Sequence, residues 1–373
     1  MNSLKKYNLS LFLTEASSLF KLDKNGLLER EIAPLKILAQ NFNKIFIFSY
    51  GRHSELNYQK NLPENILIKY RPLPIPSSFY KYLLPFFYLS IIRQSDFLRT
   101  NQIHGAIPAL IAKYLNKKAK LIIRTGYTQS LFDKQAGLDN SQSLKLEKKA
   151  YQKCDIGLVT SKEDKEYLIK THQIPETKIK VIANYIDTDI FKPDNQPKYF
   201  DRLIFIGRAG DPQKNISSLL KALHNTNLSL DIIGRPKNVE NIQNQAKELN
   251  VSLNFLGIIP NQKIPKILNQ YSIFILPSLY EGMPKSLLEA MSCSLACIAT
   301  DVPGSREIIT DKQNGLLTKT DSKSLKQAIL KLISSYELQK TLGQNARQFV
   351  IENFSLKTQI QKEIGVYQNL LNV

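Results

Sequence analysis

Short apolar runs alternate with amphipathic segments of helical length through the second half of the chain. The runs are rich in Ile, Leu and Phe and predict strands at 202–207, 228–234, 253–257, 272–277 and 295–300. A predicted helix follows each run, at 216–223, 239–249, 263–269, 284–292 and 304–309. Strands without polar alternation, separated by helices, are typical of a parallel sheet covered on both faces. Ligands of such sheets bind beyond the carboxyl ends of the strands.

The first half repeats this pattern less regularly. Its predicted strands are 7–13, 45–50, 66–71, 121–124, 156–160 and 178–182, with helices at 27–40 and 106–115. Segment 192–199 carries two prolines and no apolar period, so we predict a linker there. The tail 355–371 has helical spacing, and we expect it to pack back across the linker. The predicted division is an N-terminal domain over 1–192, a C-terminal domain over 200–354 and a terminal helix over 355–373.

Length and composition agree with two globular domains. The chain has 373 residues, too many for one ordinary core, and 43% of them are hydrophobic. No apolar run is long enough to span a bilayer, and the first residues read as a strand rather than as a secretion signal. We therefore expect the protein in the cytoplasm, with the inner face of the membrane as a further possibility.

The three cysteines indicate no disulfide framework. Cys293 and Cys297 are four residues apart, but no second pair accompanies them, and the four histidines are scattered. Small buried residues at a helix–strand junction are a better interpretation than a metal site. We expect no metal.

The net charge of +19 is concentrated in the first half, where residues 1–150 hold 23 Lys and Arg against 10 Asp and Glu. Such an excess is typical of proteins that meet an acidic partner: anionic lipid, a phosphorylated acceptor or nucleic acid. A solvated basic surface without any partner is an equally good interpretation.

One aromatic segment, 79–94, reads FYKYLLPFFYLSIIRQ. It is too short to span a bilayer. With the basic excess around it, it suits a helix lying in the membrane interface beside a membrane-bound acceptor. The alternative is a helix buried in the first domain and kinked at Pro85.

The segment 280–301, YEGMPKSLLEAMSCSLACIATD, carries the richest chemistry. Glu281 follows a predicted buried strand, and Pro284 suits the first position of a helix because its missing N–H needs no partner there. The amides of Lys285, Ser286 and Leu287 would then point out of the helix start toward a bound anion. Glu289 lies farther along the same helix. Two carboxylates around an amide cradle suit a ligand with both hydroxyls and a diphosphate.

A second candidate site is IGRAGDPQKN, residues 206–215, where Arg208 and Lys214 follow Gly207 at the end of a strand. Two cations there can neutralise a leaving diphosphate. The chain contains neither G-x-x-x-x-G-K-[ST] nor G-x-G-x-x-G, which argues against a phosphate-loop nucleotidase and a nicotinamide or flavin dehydrogenase.

These segments together resemble family 4 retaining glycosyltransferases. Glu281 and Glu289 stand in an E-x7-E signature, and IGRAGDPQKN is similar to that family's G-R…K loop. The run KVIANYIDTDIFKP is similar to its N-G-V-D…F-x-P stretch, with Tyr185 where glycine is usual. The resemblance covers 155–320 well and the first 150 residues weakly.

The resemblance implies a GT-B fold, with two Rossmann-like domains facing across a cleft. It implies that Glu281 holds hydroxyls of the donor sugar, that Glu289 holds the ribose, and that Arg208 and Lys214 bind the diphosphate. Of these, Arg208, Lys214 and Glu281 are the expected catalytic residues. The other implied donor-binding positions are Gly207, Leu256 beside the nucleobase, Gly282, Met283, Pro284, Lys285, Ser286, and Gly26 as a flexible phosphate loop. The UDP- or GDP-linked sugar would be a substrate, and no cofactor is expected.

One departure concerns a histidine that the family places at the end of a strand in the first domain. Here the corresponding strand ends IIRTGYT, without histidine. His104 is the nearest substitute, with a satisfied loop histidine as the alternative. Arg124 and Asn184 are further candidates for the cleft.

The function that the resemblance implies is transfer of a sugar from a nucleotide diphosphate to a glycan or lipid-linked acceptor, in cell-surface polysaccharide or glycolipid synthesis. A nucleotide-sugar epimerase, which would turn over donor alone, is the nearest alternative. A basic nucleic-acid-binding protein is a remote one, because the sequence shows no aromatic-interleaved RNA motif, zinc spacing or helix-turn-helix context. We expect no nucleic-acid partner.

Overall fold

A computed structural model describes residues 3–235 and 239–371. The chain divides into two compact units, Met1–Ala183 with Ile360–Val373, and Asn184–Gln359. The predicted linker 192–199 therefore belongs to the second unit. Its backbone and side chains bind there: the Asp194 amide donates to Asn269 Oδ1 at 3.2 Å, and Lys198 Nζ donates to the Tyr271 carbonyl at 3.1 Å.

The N-terminal unit is built on a parallel sheet of seven described strands in the order β3-β2-β1-β4-β5-β6-β7. The strands are β1 (Asn8–Phe12), β2 (Lys44–Phe48), β3 (Ile66–Lys69), β4 (Phe97–Thr100), β5 (Lys120–Arg124), β6 (Ile156–Val159) and β7 (Ile179–Val181). Chain order reverses between β1 and β4, where Leu9 pairs with Phe97. Strand β4 was not predicted from the sequence, and its third residue is a buried arginine.

Eight described α-helices accompany this sheet. They are α1 (Leu19–Lys24), α2 (Leu28–Ala39), α3 (Ser77–Phe87), α4 (Leu89–Gln94), α5 (Ala106–Leu115), α6 (Gln129–Gln135), α7 (Ser141–Lys153) and α8 (Lys162–His172). Caps define several of their ends. Ser161, for example, accepts a hydrogen bond from the Asp164 amide at the start of α8.

The C-terminal unit repeats the plan with six described parallel strands in the order β10-β9-β8-β11-β12-β13. They are β8 (Tyr199–Ile206), β9 (Ser229–Ile233), β10 (Ser252–Gly257), β11 (Tyr271–Leu276), β12 (Ala296–Thr300) and β13 (Leu316–Thr318). Chain order reverses between β8 and β11. Strands β9 and β12 are buried along their whole length, as expected for a parallel sheet covered on both faces. β9 is not wholly apolar, because it includes the buried Ser229 and Asp231.

The helices of this half are α9 (Ile216–Leu223), α10 (Val239–Glu248), α11 (Ile264–Leu268), α12 (Lys285–Ser292), α13 (Pro303–Arg306), α14 (Ser322–Ile333), α15 (Tyr336–Phe354) and α16 (Leu356–Leu370). The predicted bounds of α9 agree with the structure. Both units are thus Rossmann-like, and the predicted α/β fold class is confirmed.

The last helix, α16, contributes residues from Ile360 onward to the N-terminal unit. There Glu363 is almost fully buried and lies against two arginines of the sheet. Its Oε1 is 2.9 Å from Arg99 Nε, and its Oε2 is 3.8 Å from Arg124 Nε. Tyr367 donates to the same carboxylate at 2.8 Å, and burial followed by the Glu363 charge raises the tyrosine pKa well above its usual value. A buried ion cluster therefore holds the terminal helix on the first sheet.

Helix α3 takes up most of the aromatic segment 79–94. It ends at Phe87, and α4 begins at Leu89, so the segment is two helices rather than one kinked at Pro85. Only Tyr80, Leu84 and Pro85 of α3 are buried. Within residues 3–235 and 239–371, no helix is long and apolar enough to cross a membrane.

Candidate functional site

The predicted donor residues of the second half meet at one point of the second sheet. The loop after β8 runs from Gly207 to Asn215, and the loop after β11 runs from Pro277 to Pro284. The two strands are neighbours, and chain order reverses between them, so the connections that follow them lead away in opposite directions and a crevice is expected at the carboxyl edge. Such reversal points are where open α/β sheets bind their ligands.

Lys214 and Glu281 form the centre of this crevice. Lys214 Nζ lies 2.5 Å from Glu281 Oε1, and the side chains are 15% and 9% exposed. A charge pair with so little solvent interacts more strongly than an exposed one. The two residues are 67 positions apart in sequence, and the structure brings them together as the resemblance implies for a shared site.

Arg208 has a different environment. Its Nε lies 2.8 Å from Asp211 Oδ2 within its own loop, and its side chain is 62% exposed. The guanidinium is at the mouth of the crevice, while Lys214 is inside. Both cations lie beyond the carboxyl end of β8, as predicted.

Several hydrogen bonds hold the two loops together. Gln213 donates through Nε2 to the Tyr280 carbonyl at 2.7 Å, and the Leu279 amide donates to the Gln213 carbonyl at 2.8 Å. Asn215, at φ 51°, donates through Nδ2 to the Pro277 carbonyl at 3.1 Å. Burial, then the charges of Asp211 and Glu281, raises the pKa of Tyr280. The loops therefore form one rigid support for Lys214 and Glu281.

Helix α12 begins beside Glu281. Pro284 is the N-cap, with Lys285 as the first helical residue, one position later than predicted. The first-turn amides, including that of the half-buried Ser286, have no carbonyl partner within the helix and face its N-terminal end. Helix starts attract anions, so this one suits a phosphate group.

The stretch that contains Asn184 packs on the same helix start. Asn184 Nδ2 donates to the Met283 carbonyl at 2.8 Å, and Lys285 Nζ lies 5.2 Å from the centre of the Tyr185 ring. Tyr185 thus makes a cation–π contact with Lys285, which glycine at this position could not make. Asn184 belongs to the donor side of the molecule, as a support for the loop that holds Gly282 and Met283.

Glu289 lies deeper in α12 and is 2% exposed. Its Oε1 accepts a hydrogen bond from Asn261 Nδ2 at 3.0 Å. Asn261 follows β10, so the contact joins α12 to the segment after that strand. Leu256, near the end of β10, is 36% exposed and remains open to a ligand.

Glycines end three adjacent strands: Gly207 after β8, Gly234 after β9 and Gly257 in β10. Gly234 has φ 139°, and a Cβ on it would lie 2.3 Å from the Gly207 carbonyl oxygen. The Gly234 amide donates to the Gly257 carbonyl at 2.8 Å. The carboxyl ends of these three strands therefore carry no side chains, so a ligand can approach the backbone closely there.

A further glycine positions the Glu281 loop. A Cβ on Gly304, at the start of α13, would lie 2.0 Å from the Gly282 carbonyl oxygen. Neither Gly304 nor Gly234 was predicted as a site residue. Gly234 is the last residue of a predicted strand and Gly304 the first residue of a predicted helix, so a glycine at an element boundary was the available signal.

In the first unit, Gly26 follows Asn25, the C-cap of α1, and has φ 69°. Its amide donates to the Asp23 carbonyl and the Leu27 amide donates to the Leu22 carbonyl, the hydrogen bonds of a left-handed helix end. A phosphate-binding role for Gly26 stays a prediction. The loop that follows β1 is 13–18, and it lacks glycine.

The contacts of Arg124 differ from those expected of a cleft residue. Its side chain is 8% exposed and directed at Glu363, so it balances a buried charge instead of lining a cleft. No pattern near Arg124 in the chain indicates this contact, because Glu363 lies in the last helix.

His104 is exposed, in a short 3-10 turn (Ile103–Gly105) after β4. A Cβ on Gly105 would lie 2.9 Å from the Phe12 carbonyl oxygen, so the turn packs against the end of β1. The histidine therefore sits at the reversal point of the first sheet, where a ligand of this unit is expected.

Comparison with known families decides between the remaining interpretations. The model described as glycosyl transferases group 1 matches residues 187–349, and the glycosyltransferase family 4 model matches residues 37–190. The chain belongs to the family 4 glycosyltransferases.

Relatives of this glycosyltransferase include two uncharacterized glycosyltransferases of Methanocaldococcus jannaschii. One is 34% identical over 169 residues, which are 45% of this chain and 48% of that protein, so the match spans about half of that relative. The other is 25% identical over 92% of both chains. An N-acetylgalactosaminyltransferase of Campylobacter jejuni, whose name specifies a diphospho-undecaprenol acceptor, is 28% identical over 76% of this chain and 78% of its own.

Solved structures share the fold of the glycosyltransferase. HepE of Anabaena, in complex with UDP and glucose, superposes with a TM-score of 0.80 at 16% identity, covering 97% of this chain and 99% of that one. Sucrose-phosphate synthase of Thermosynechococcus elongatus gives 0.78 at 18% identity, over 98% and 100%. These neighbours establish a GT-B fold. The comparisons give the epimerase alternative no support.

Among the described residues, no group of three or more His, Cys, Asp and Glu side chains is placed to hold a metal ion. All three cysteines are buried, and burial raises the pKa of Cys154 to about 12. They therefore behave as small core residues.

Proposed function

We propose that this glycosyltransferase moves a sugar from a UDP- or GDP-linked donor to a glycan or lipid-linked acceptor, with retention of the anomeric configuration. The observation that carries the proposal is the buried Lys214–Glu281 pair at the reversal point of the second sheet. One member can bind phosphate and the other can bind sugar hydroxyls. A donor joins these two groups in one molecule.

The diphosphate of the donor would lie between Lys214, Arg208 and the start of α12. Lys214 acts there as a point charge and Arg208 as a fork at the rim, and the first-turn amides supply further donors. Binding of the diphosphate gives Lys214 a second anionic neighbour without displacing Glu281.

The remaining donor groups have places along the same edge. Glu281 accepts hydrogen bonds from sugar hydroxyls with the oxygen that Lys214 leaves free. Glu289, oriented by Asn261, accepts from the ribose. Leu256 lies against the nucleobase. Gly207 and Gly234 leave the backbone bare for this approach.

Transfer on one face of the sugar needs no protein base. The bond from the anomeric carbon to the diphosphate oxygen breaks, and the bond to the acceptor oxygen forms on the same face. The acceptor's proton passes to the leaving phosphate oxygen. Catalysis then consists of stabilising negative charge on the diphosphate, the task for which Lys214 is placed.

On the acceptor side, the Campylobacter relative acts on a diphospho-undecaprenol. A polyprenyl-linked acceptor is consistent with the basic first half of this chain, since such a substrate carries its own phosphates. We place the reaction in cell-surface polysaccharide or glycolipid synthesis, in the cytoplasm at the inner face of the membrane. Nucleic acid is not a proposed partner.

A thermal-shift panel of nucleotides and sugar nucleotides tests the donor site. Binding to the native state raises stability by about 2.7 kcal/mol when the ligand is at a hundred times its Kd. We expect stabilisation by one nucleotide family, UDP- or GDP-linked, and loss of that shift in Lys214→Ala. A folded protein that responds to no member of the panel would refute the donor site.

The stereochemistry has its own test. Proton NMR of the product formed from an α-linked donor should show an α-linked sugar. A β-linked product would overturn the same-face path while leaving the donor site intact.

A further inference from the structure

Helix α3 leaves one apolar face open to solvent. Phe79, Tyr82, Leu83, Phe86 and Phe87 are 65%, 49%, 41%, 55% and 40% exposed. Their spacing of i, i+3, i+4, i+7 and i+8 places them side by side on one face of the helix. We call these five residues the α3 face. A contiguous group of large apolar side chains of this kind marks a binding surface.

The helix itself is firmly attached to the N-terminal unit, so the exposure is not that of a frayed segment. Tyr80 and Leu84 are fully buried, and the Tyr80 ring packs edge-on against Tyr50 at 5.5 Å between centroids. Lys81 Nζ lies 2.8 Å from Glu15 Oε2. The α3 face is thus presented on a rigid support.

The charges around the helix favour an anionic partner. From residue 65 to residue 95 the chain holds Lys69, Arg71, Lys81 and Arg93 and no carboxylate. Lys81 is paired with Glu15, whereas Arg93 is exposed and Lys69 and Arg71 are half-buried. Aromatic side chains flanked by cations are the composition of helices that lie in the headgroup region of anionic bilayers. With 11 residues, α3 is about 16 Å long and suits a position in the membrane plane.

The position of α3 connects this surface to the first sheet's ligand-binding edge. Glu15, the partner of Lys81, lies in the loop after β1, and His104 lies in the turn after β4. Both belong to the reversal point of that sheet. An acceptor embedded in a bilayer under α3 would therefore reach this edge without leaving the membrane.

We propose that the α3 face docks the enzyme on an anionic lipid bilayer. This proposal deepens the proposed function, because it names the surface from which a lipid-linked acceptor would be taken. The aromatic rings would insert among the headgroups, and the exposed Arg93, with the half-buried Lys69 and Arg71, would pair with lipid phosphates. A second copy of this chain is the competing occupant of an apolar face, and the experiment separates the two.

The test is flotation of the full chain with vesicles of phosphatidylcholine containing roughly a third phosphatidylglycerol. We expect binding that weakens with salt and with neutral vesicles. The double variant Phe79→Ser with Phe86→Ser should lower the partition coefficient at least about tenfold, because it removes the two most exposed rings of the face. Arg93→Gln should lower it less and reduce the salt dependence.

A matched control replaces two exposed aromatic residues elsewhere. Phe200 and Tyr336 are 80% and 63% exposed in the C-terminal unit, where they line a cavity of about 200 Å³ near the amino end of β8. Phe200→Ser with Tyr336→Ser should leave vesicle binding unchanged. Both double variants should keep the wild-type thermal midpoint and the donor-induced shift, so failure of the donor site and failure of docking are separate results.

Three results would overturn the proposal: no binding to anionic vesicles at low salt, equal loss of binding in both double variants, or equal binding to neutral vesicles at all salt concentrations. A dimer in solution that Phe79→Ser with Phe86→Ser dissociates, without any vesicle binding, would assign the α3 face to a second copy.

Discussion

Lys214 and Glu281 stabilise each other in a largely solvent-excluded crevice, where each would be costly to bury alone. The pair also prepares the site for a donor. Under the proposed function, Glu281 holds Lys214 in position before the diphosphate arrives, so little reorganisation is needed when negative charge develops on the leaving group. The chemical value of the lysine therefore depends on a carboxylate 67 positions away.

The first prediction concerns these cations. Lys214→Ala or Arg208→Ala should lower kcat by roughly 10²–10³-fold, or about 3–4 kcal/mol, because a preorganised donor to the leaving group is lost. The measurement is steady-state transfer with a saturating nucleotide sugar. The exposed Arg208 should have the smaller effect of the two.

Lys221→Ala provides the control, since Lys221 is an exposed cation on α9, the helix that follows the Lys214 loop. Its turnover should equal that of the wild type. If Lys214→Ala and Arg208→Ala both stayed within a few-fold of wild type, the catalytic assignment would be wrong.

At the scale of elements, the packing of α13 on the Glu281 loop positions the site. Gly304 has no room for a side chain, because a Cβ would lie 2.0 Å from one backbone oxygen and 2.6 Å from another, those of Gly282 and Glu281. The loop can keep its position only while residue 304 is glycine.

The second prediction is that Gly304→Ala moves this loop and lowers kcat/KM at least about tenfold, as small misplacements of reacting groups do. Gly365→Ala is the matched control: nothing lies within 4 Å of a Cβ there, in the middle of α16. It should raise stability by about 0.4–1 kcal/mol and leave kinetics unchanged. Wild-type kinetics in Gly304→Ala would show that the loop tolerates displacement.

A third prediction concerns the attachment of α16. Glu363→Gln removes the carboxylate charge and leaves Arg99 and Arg124 buried without a counter-charge. Loss of one partner from a buried ion pair costs about 3–5 kcal/mol. We expect a loss of that size in urea unfolding followed by circular dichroism.

The surface pair Lys36–Glu29, at 3.3 Å on α2, supplies the comparison for Glu363. Lys36→Ala should cost no more than about 1 kcal/mol. A comparable small loss for Glu363→Gln would mean that the buried cluster contributes little to stability.

At the scale of the whole molecule, the net positive charge affects how anionic molecules approach the enzyme. A net charge of +19 favours the approach of an anionic substrate such as the proposed donor before any specific contact forms. The described residues offer cations and helix amides at the donor site, and no acidic cluster suited to a divalent ion.

A fourth prediction follows. Transfer should proceed in excess EDTA at within about twofold of the untreated rate, because the protein's own cations meet the diphosphate charge. A metal-dependent transfer would fall by orders of magnitude, since the ion would supply several kcal/mol of transition-state stabilisation. Recovery of activity only on addition of Mg²⁺ or Mn²⁺ would contradict this prediction.

Much of the second half followed from the sequence alone. Apolar runs separated by amphipathic helical segments predicted β8 to β12 and α9 to within a few residues. Strands buried on both sheet faces are rich in apolar residues, so they can be recognised from the local sequence. The same segments placed Arg208, Lys214 and Glu281 beyond strand ends, where a parallel sheet presents its loops. Family and reaction class were therefore accessible without coordinates.

Tertiary structure decided what depends on distant partners. Arg124 reads as a candidate for a cleft until Glu363, in the last helix, is seen to neutralise it, and β4 escaped prediction because it carries Arg99, the other member of that cluster. The left-handed conformation of Gly26 after the α1 cap likewise became visible only in the structure. Which face of α3 is exposed depends on what Tyr80 and Leu84 pack against, and the Lys214–Glu281 contact depends on strand order. The local sequence pattern indicates whether a side chain is suited to burial. Which charged side chains contact each other, and which helix face stays exposed, depends on the order of strands in the assembled sheet.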